Sequence, residues 1–111
     1  MLKKSQRLTT EEVTLVITKG LFAQSPFFTM RFIFNKEQKS KFAAITSKKI
    51  FKTAVARNAM RRRVYAMIGG LIKANKAPTC ASLALICKDK AVGANTDLLK
   101  EDIAKLFAKI S

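Results

Sequence analysis

Ser82–Lys88, SLALICK, is apolar at five consecutive positions and lies between Pro78 and Asp89. A run this short and this greasy predicts a strand buried on both faces rather than a helix. The elements around it follow from periodicity. Upstream, a long helix begins at Lys52, and Met60, Val64, Met67, Ile68 and Leu71 recur three and four apart as one apolar stripe. Gly69-Gly70 costs about 1 kcal/mol per glycine relative to alanine, so the helix either ends there or frays on to Ala74. Ala77-Pro78 closes it. Further upstream, Phe27–Phe34 alternates: Phe28, Met30, Phe32 and Phe34 share one face, and Thr29 and Arg31 the other. After a polar turn over Asn35–Lys41, Phe42–Thr46 reads as a second strand, and the two strands predict an antiparallel hairpin. Leu21–Ala23 adds a short edge strand.

Near the start, Thr9-x-x-Glu12 has the form of a capping box, with Val13, Val16 and Ile17 at helical spacing and Gly20 as the stop. This predicts a first helix over Thr10–Lys19. On the other side of SLALICK, Leu99, Ile103, Leu106, Phe107 and Ile110 stripe a last helix over Thr96–Ile110, capped by Asn95 or Thr96. The order helix, strand, strand, helix, strand, helix predicts one α+β domain over residues 1–111, with helices packed on a sheet.

The chain has 111 residues, 22 of them Lys or Arg and 7 Asp or Glu, for a net charge of +15. Nearly half the residues are apolar, which disordered basic tails are not. A compact domain with this much like charge repels itself until a polyanion binds, and nucleic acid is the usual polyanion. No apolar run approaches the roughly 18 residues of a membrane span, and Met1–Thr10 is polar and basic. A cytoplasmic protein with no membrane partner is expected. Cys80 and Cys87, in a chain without histidine, are too few for a metal site. They read as reduced thiols, Cys87 as a small core residue.

The charge concentrates in Ser47–Tyr65, SKKIFKTAVARNAMRRRVY, which holds seven cations (Lys48, Lys49, Lys52, Arg57, Arg61, Arg62 and Arg63) and no acid. On a helix, Arg57, Arg61 and Tyr65 stack four apart along one face, solvent-facing, and Asn58 and Arg62 form the adjoining row. Arg63 falls on the opposite flank, as ordinary surface. Guanidinium groups packed this way suit bidentate phosphate binding.

S-K-K, six intervening residues, then A-R-N-x-x-R-R resembles the signature of the bacterial ribonuclease P protein component. Ser47, Lys48 and Lys49 match its upstream part, and Arg57, Asn58, Arg61 and Arg62 its core; Arg7-Leu8, Gly20 and the final strand and helix extend the likeness over nearly the whole chain. The resemblance implies an α/β sandwich of the ribosomal protein S5 domain 2-like type, with about four strands, three helices and a left-handed βαβ crossover. It implies RNA binding by Ser47, Lys48, Lys49, Lys52, Arg57, Asn58, Arg61, Arg62 and Tyr65. It also implies a cofactor role: a monomeric protein in a 1:1 complex with the catalytic RNA, which holds Mg²⁺ and removes the 5′ leader of precursor tRNA.

Two departures stand out. Ala59 replaces an arginine of the family core, and Tyr65 replaces a later one, offering a ring that could stack instead of pair. Val13 and Ile17 stand where the family lines a leader cleft with aromatics from its first helix, and Arg31 replaces a third cleft aromatic, from the strand. Aliphatic side chains lack the flat π face that contributes roughly 1–3 kcal/mol per stacked base, so leader binding here is expected to be weaker or more electrostatic.

No histidine, nucleophile–base pair, carboxylate motif or phosphate loop signals a protein active site or a metal site. The rival readings are a ribosomal or other structural RNA-binding protein, a DNA-binding module and a stand-alone nuclease. The signature argues against the first. A strand-like segment rather than a short helix precedes the basic helix, against the second. The third finds no residues.

Overall fold

The computed structural model describes residues 4–35 and 39–110. Part of the turn expected over Asn35–Lys41 lies outside them. The helix α1 spans Thr10–Lys19, and its capping box is formed: the Thr9 N–H donates to Glu12 Oε1 at 2.9 Å, and the Glu12 N–H donates to Thr9 Oγ1 at 3.2 Å. Gly20 ends it. A Cβ there would stand 2.3 Å from the Val16 carbonyl oxygen, so only glycine lets the chain turn this closely into β1, Leu21–Gln24. Then come β2 (Phe28–Phe34), β3 (Lys41–Ile45), α2 (Ala54–Lys73), β4 (Ala81–Cys87) and α3 (Thr96–Ile110).

The sheet order is β1-β2-β4-β3. The hairpin expected between the second and third strands does not form; the hairpin is β1 with β2. Instead β4 lies between them, antiparallel to β2 (Met30 opposite Leu85) and parallel to β3 (Ala44 opposite Leu85), with α2 as the crossover from β3. The reason lies in β4's composition. A strand apolar on both faces, with Ala81, Leu83, Ala84, Leu85 and Cys87 all buried, is placed best at the centre, where both backbone edges find partners and both faces are covered. The outer edge of β3 is partly occupied too: the Leu8 N–H donates to the Phe42 carbonyl at 2.9 Å.

Helices cover both faces. On one side α2 and α3 bury Phe28, Met30, Phe32, Phe42, Leu83 and Leu85 together with their own stripes. Every expected position of the α2 stripe is buried, and so are Leu99, Ile103, Leu106 and Phe107 of α3. Each fully buried side chain of this size contributes about 1.5–3 kcal/mol. The glycine pair does not stop α2, because Ile68 and Leu71 on either side are anchored in this core. On the other side α1 packs Val16 against Ala43 and Ala84, with Leu8, Val13, Ile33 and Ile45 around them. The result is an α+β sandwich: α1, a four-stranded mixed sheet, then α2 and α3.

Candidate nucleic-acid interface

The chain enters α2 through a turn. The Phe51 N–H donates to the Ser47 carbonyl at 2.9 Å, and the Ile50 N–H to Ser47 Oγ at 3.3 Å, leaving Lys48 and Lys49 exposed on the turn and Lys52 exposed after it. Thr53 caps the helix, its Oγ1 accepting from the Ala56 N–H at 3.1 Å, so α2 begins at Ala54 rather than at Lys52. No acid sits in its first turn. The positive end of the helix dipole is thus surrounded by more positive charge, an arrangement that costs free energy in isolation and favours a bound phosphate.

Burial sorts the rest of α2 into lanes. Asn58, Ala59 and Arg62 face outward, with Val55, 79% exposed, at the head of this lane. Arg57, Arg61 and Tyr65 form a second lane, half-buried rather than fully solvent-facing as the helical wheel implies. Arg57 Nη1 donates to the Phe51 carbonyl at 2.9 Å, Arg61 donates to Asn58 Oδ1, and Tyr65 Oη accepts from the Ala44 N–H at 3.3 Å. The Tyr65 ring is already accompanied: the Arg7 guanidinium lies 5.4 Å from its centroid.

Arg63 is not ordinary surface. Its Nη2 donates to the Ala94 carbonyl and to Thr96 Oγ1, both at 3.0 Å, and its Nη1 lies 3.9 Å from Met60 Sδ. It fastens α2 to the start of α3, where Asn95 Oδ1 accepts from the Asp97 N–H at 2.7 Å as the cap. Nothing in the spacing alone distinguishes it from Arg62; only the docked position of α3 does.

The second lane opens into a groove of about 270 Å³ between α1, β3 and α2. Val13, Thr46, Arg61 and Tyr65 line it, and Thr46 Oγ1 is buried there without a partner among the described residues. The structure therefore brings Val13 of the expected cleft together with Arg61 of the basic helix. The other two cleft residues lie toward the opposite end of α1. Ile17 is 37% exposed, and Arg31 Nη2 donates to the Ile17 carbonyl at 2.5 Å. Beside them is a residue that sequence reasoning missed: Phe22 on β1, 60% exposed, with the Arg31 guanidinium 5.8 Å from its ring centroid. An aromatic on an edge strand next to a polar-face arginine was the available signal. A larger hollow of about 570 Å³, lined by Phe34, Cys80 and Ala104 among others, lies just beyond the C-terminal end of α2, away from its arginines.

Among the described residues the ion pairs are Lys41–Glu12 and Lys105–Glu101, so no carboxylate neutralises the arginines of α2. No three His, Cys, Asp or Glu among them could hold a metal ion together. No helix among them is long and apolar enough to cross a membrane. Both cysteines are free, Cys87 buried and Cys80 half-buried.

No individually curated protein sequence matches the chain. Among solved structures, the RNase P protein from Thermotoga maritima is similar with a TM-score of 0.83 at 20% identity, over 95% of this chain and 97% of that one. The Staphylococcus aureus RNase P protein is similar with a TM-score of 0.77 at 18% identity, over 96% and 95%. At such identities the likeness speaks for the fold. The family model described as Ribonuclease P matches residues 2–111, and on that match, over an α+β sandwich displaying an unneutralised basic helix, the chain belongs to the ribonuclease P protein family.

Proposed function

We propose that this chain is the RNA-binding protein cofactor of ribonuclease P, acting as one copy per catalytic RNA in removal of the 5′ leader from precursor tRNA. The turn, the exposed lane and the half-buried lane of α2, through Ser47, Lys48, Lys49, Lys52, Arg57, Asn58, Arg61 and Arg62, contact phosphates of the catalytic RNA. Tyr65 flanks them, its ring held between Arg7 and the groove wall. Val13, Ile17 and Arg31, on the α1 side of the sheet, border the path of the leader.

The observation that carries this reading is a helix anchored by a fully buried stripe while its arginines meet no carboxylate among the described residues. Phosphates are the partners that relieve such charge. The protein's part is positional and electrostatic: it holds RNA segments near one another and lowers their mutual repulsion. In this reading Mg²⁺ and the bond-breaking chemistry belong to the RNA.

Reconstitution tests the proposal. Adding the protein to a bacterial ribonuclease P RNA at low Mg²⁺ is expected to accelerate leader removal and to lower the Mg²⁺ requirement. Binding of the RNA without any change in cleavage would overturn it in favour of a structural RNA-binding role.

A further inference from the structure

We infer that the outer edge of β1 is a docking site for an extended acidic segment of a partner protein, which adds to the sheet as a fifth strand. The inference is independent of the RNA-binding reading. It uses neither the basic helix nor the residues that border the leader.

The two edges of the sheet differ. The β3 edge is partly occupied by the chain itself, through the bridge of Arg7 with Phe42 and the bond from the Leu8 N–H to the Phe42 carbonyl. The β1 edge has no strand beside it among the described residues. The register shows which backbone groups this edge presents. The Ser25 N–H donates to the Phe28 carbonyl at 2.9 Å, so these two residues are a hydrogen-bonded pair. Bonded and non-bonded pairs alternate along an antiparallel ladder, which makes Ala23 with Met30 and Leu21 with Phe32 the bonded pairs of β1. The N–H and C=O groups of Phe22 and Gln24 therefore point outward, at a spacing that a further strand matches. The bond from Lys109 Nζ to the Gln24 carbonyl at 3.3 Å, made from outside the ladder, agrees with this direction.

The edge is held in shape and is apolar. Ser25 Oγ donates to the buried Asp102 carboxylate, which also accepts from the Phe27 N–H at 3.2 Å, so the turn into β2 is fixed before any partner arrives. Leu21, 62% exposed, lies opposite Phe32 on the α2–α3 face, and Phe22, opposite Arg31, projects from the other. Exposed apolar side chains on both faces of an open edge make a template for strand pairing.

Charge selects the partner. Lys88 and Lys109 converge at the Gln24 end: Lys88 Nζ donates to Gln24 Oε1 at 3.2 Å and to the Ser25 carbonyl at 2.7 Å, and Lys109 reaches the Gln24 carbonyl. A second copy of this chain, itself at +15, is repelled by them. A nucleic acid could meet the lysines, but its phosphates offer no donor to the Phe22 carbonyl. A strand that is apolar beside Leu21 and Phe22 and carries carboxylates beside Gln24 satisfies both. Lys109 gives up its exposed bond to the carbonyl at little cost and turns to a carboxylate.

The probes are two labelled, capped peptides, Thr-Val-Ile-Val-Thr-Glu-Glu and the same residues in reverse order, which cover parallel and antiparallel addition. The full-length protein is titrated into each by fluorescence anisotropy. Wild type is expected to bind one of them, and to bind its version with lysine in place of glutamate at least about fivefold more weakly. Gln24→Pro removes one outward N–H and leaves the ladder with β2 intact. It is expected to weaken the glutamate peptide at least about fivefold, whereas Gln24→Ala, which keeps the N–H, changes affinity less than about twofold. Lys109→Glu leaves the edge backbone unchanged and is expected to weaken the glutamate peptide, and to strengthen the lysine version, by about threefold. Failure of both peptides to bind, wild-type affinity in Gln24→Pro with an unchanged circular dichroism spectrum, or no shift of preference in Lys109→Glu would overturn the inference. Self-association that Gln24→Pro abolishes would overturn it in favour of a second copy. Displacement of the peptide by an equal concentration of a short unstructured RNA would overturn it in favour of nucleic acid.

Discussion

Arg57 Nη1 donates to the carbonyl oxygen of Phe51 at 2.9 Å, closing the lysine-bearing turn onto the first turn of α2. Arg61, one helical turn on, has no such tie to the backbone; its partner is the exposed Asn58. Two arginines on the same lane therefore do different jobs.

Replacing Arg61 and Arg62 by glutamine should weaken binding to the catalytic RNA while leaving the circular dichroism spectrum intact. With about five or six phosphates neutralised, log K for the wild type should fall against log salt with a slope of about −4 to −5, and the double variant should lose about 1 to 2 of that slope. Arg57→Gln should lose about half as much slope, together with faster proteolysis of the Ser47–Thr53 turn. A flat salt profile in the wild type would rule out phosphate contacts as the main source of affinity.

Arg63 should behave as a structural residue. Its bonds to Ala94 and Thr96 join α2 to α3, and hydrogen bonds from a charged donor at a half-buried site contribute about 1–2 kcal/mol. Arg63→Ala should lower the unfolding free energy by that amount and change RNA affinity less than Arg61→Gln does. A larger effect on RNA binding than on stability would place Arg63 in the interface.

The Thr9 N–H bond holds the Glu12 carboxyl below the usual carboxylate range; partial burial opposes this, and the Lys41 ammonium at 3.2 Å reinforces it. A depressed folded value means that the charged carboxylate stabilises the fold above its unfolded value. That stability is lost as pH falls through the lower, folded value. Glu12→Gln should thus be less stable than wild type at neutral pH, and the difference should shrink as pH falls below the unfolded glutamate value of about 4.3. Urea melts of both proteins across this range check it; a gap that persists in acid would mean that packing, not charge, is responsible.

Burial pushes the Cys87 thiol up to about 12, so it stays protonated and unreactive at neutral pH. In the native protein a thiol reagent should label Cys80 alone, with Cys87 reacting only on unfolding. Because the folded state holds this proton more tightly, its contribution to stability is present below the unfolded thiol value and is lost as pH rises toward the folded one. Equal labelling rates for the two thiols would show that β4 opens readily.

Local patterns in the chain were enough to place most of what is regular in this molecule. The capping box at Thr9 and Glu12, the stripes of α2 and α3 and the doubly buried run of β4 all arise from neighbours within a few residues, and each formed within two residues of its expected bounds. The basic character of α2 is likewise local. Strand order was not, because backbone hydrogen bonds carry no residue code. The alternation in β2 says which face is buried but not which strand lies alongside, and only the need to cover both edges of β4 separated β2 from β3. The same holds at the interface. Periodicity put Arg61, Arg62 and Arg63 on one short helical segment, and it took the docking of α3, β3 and α1 around them to turn one into a strut, one toward a groove and one to solvent. Side-chain environment is set by which elements pack together, and that packing is a property of the whole chain.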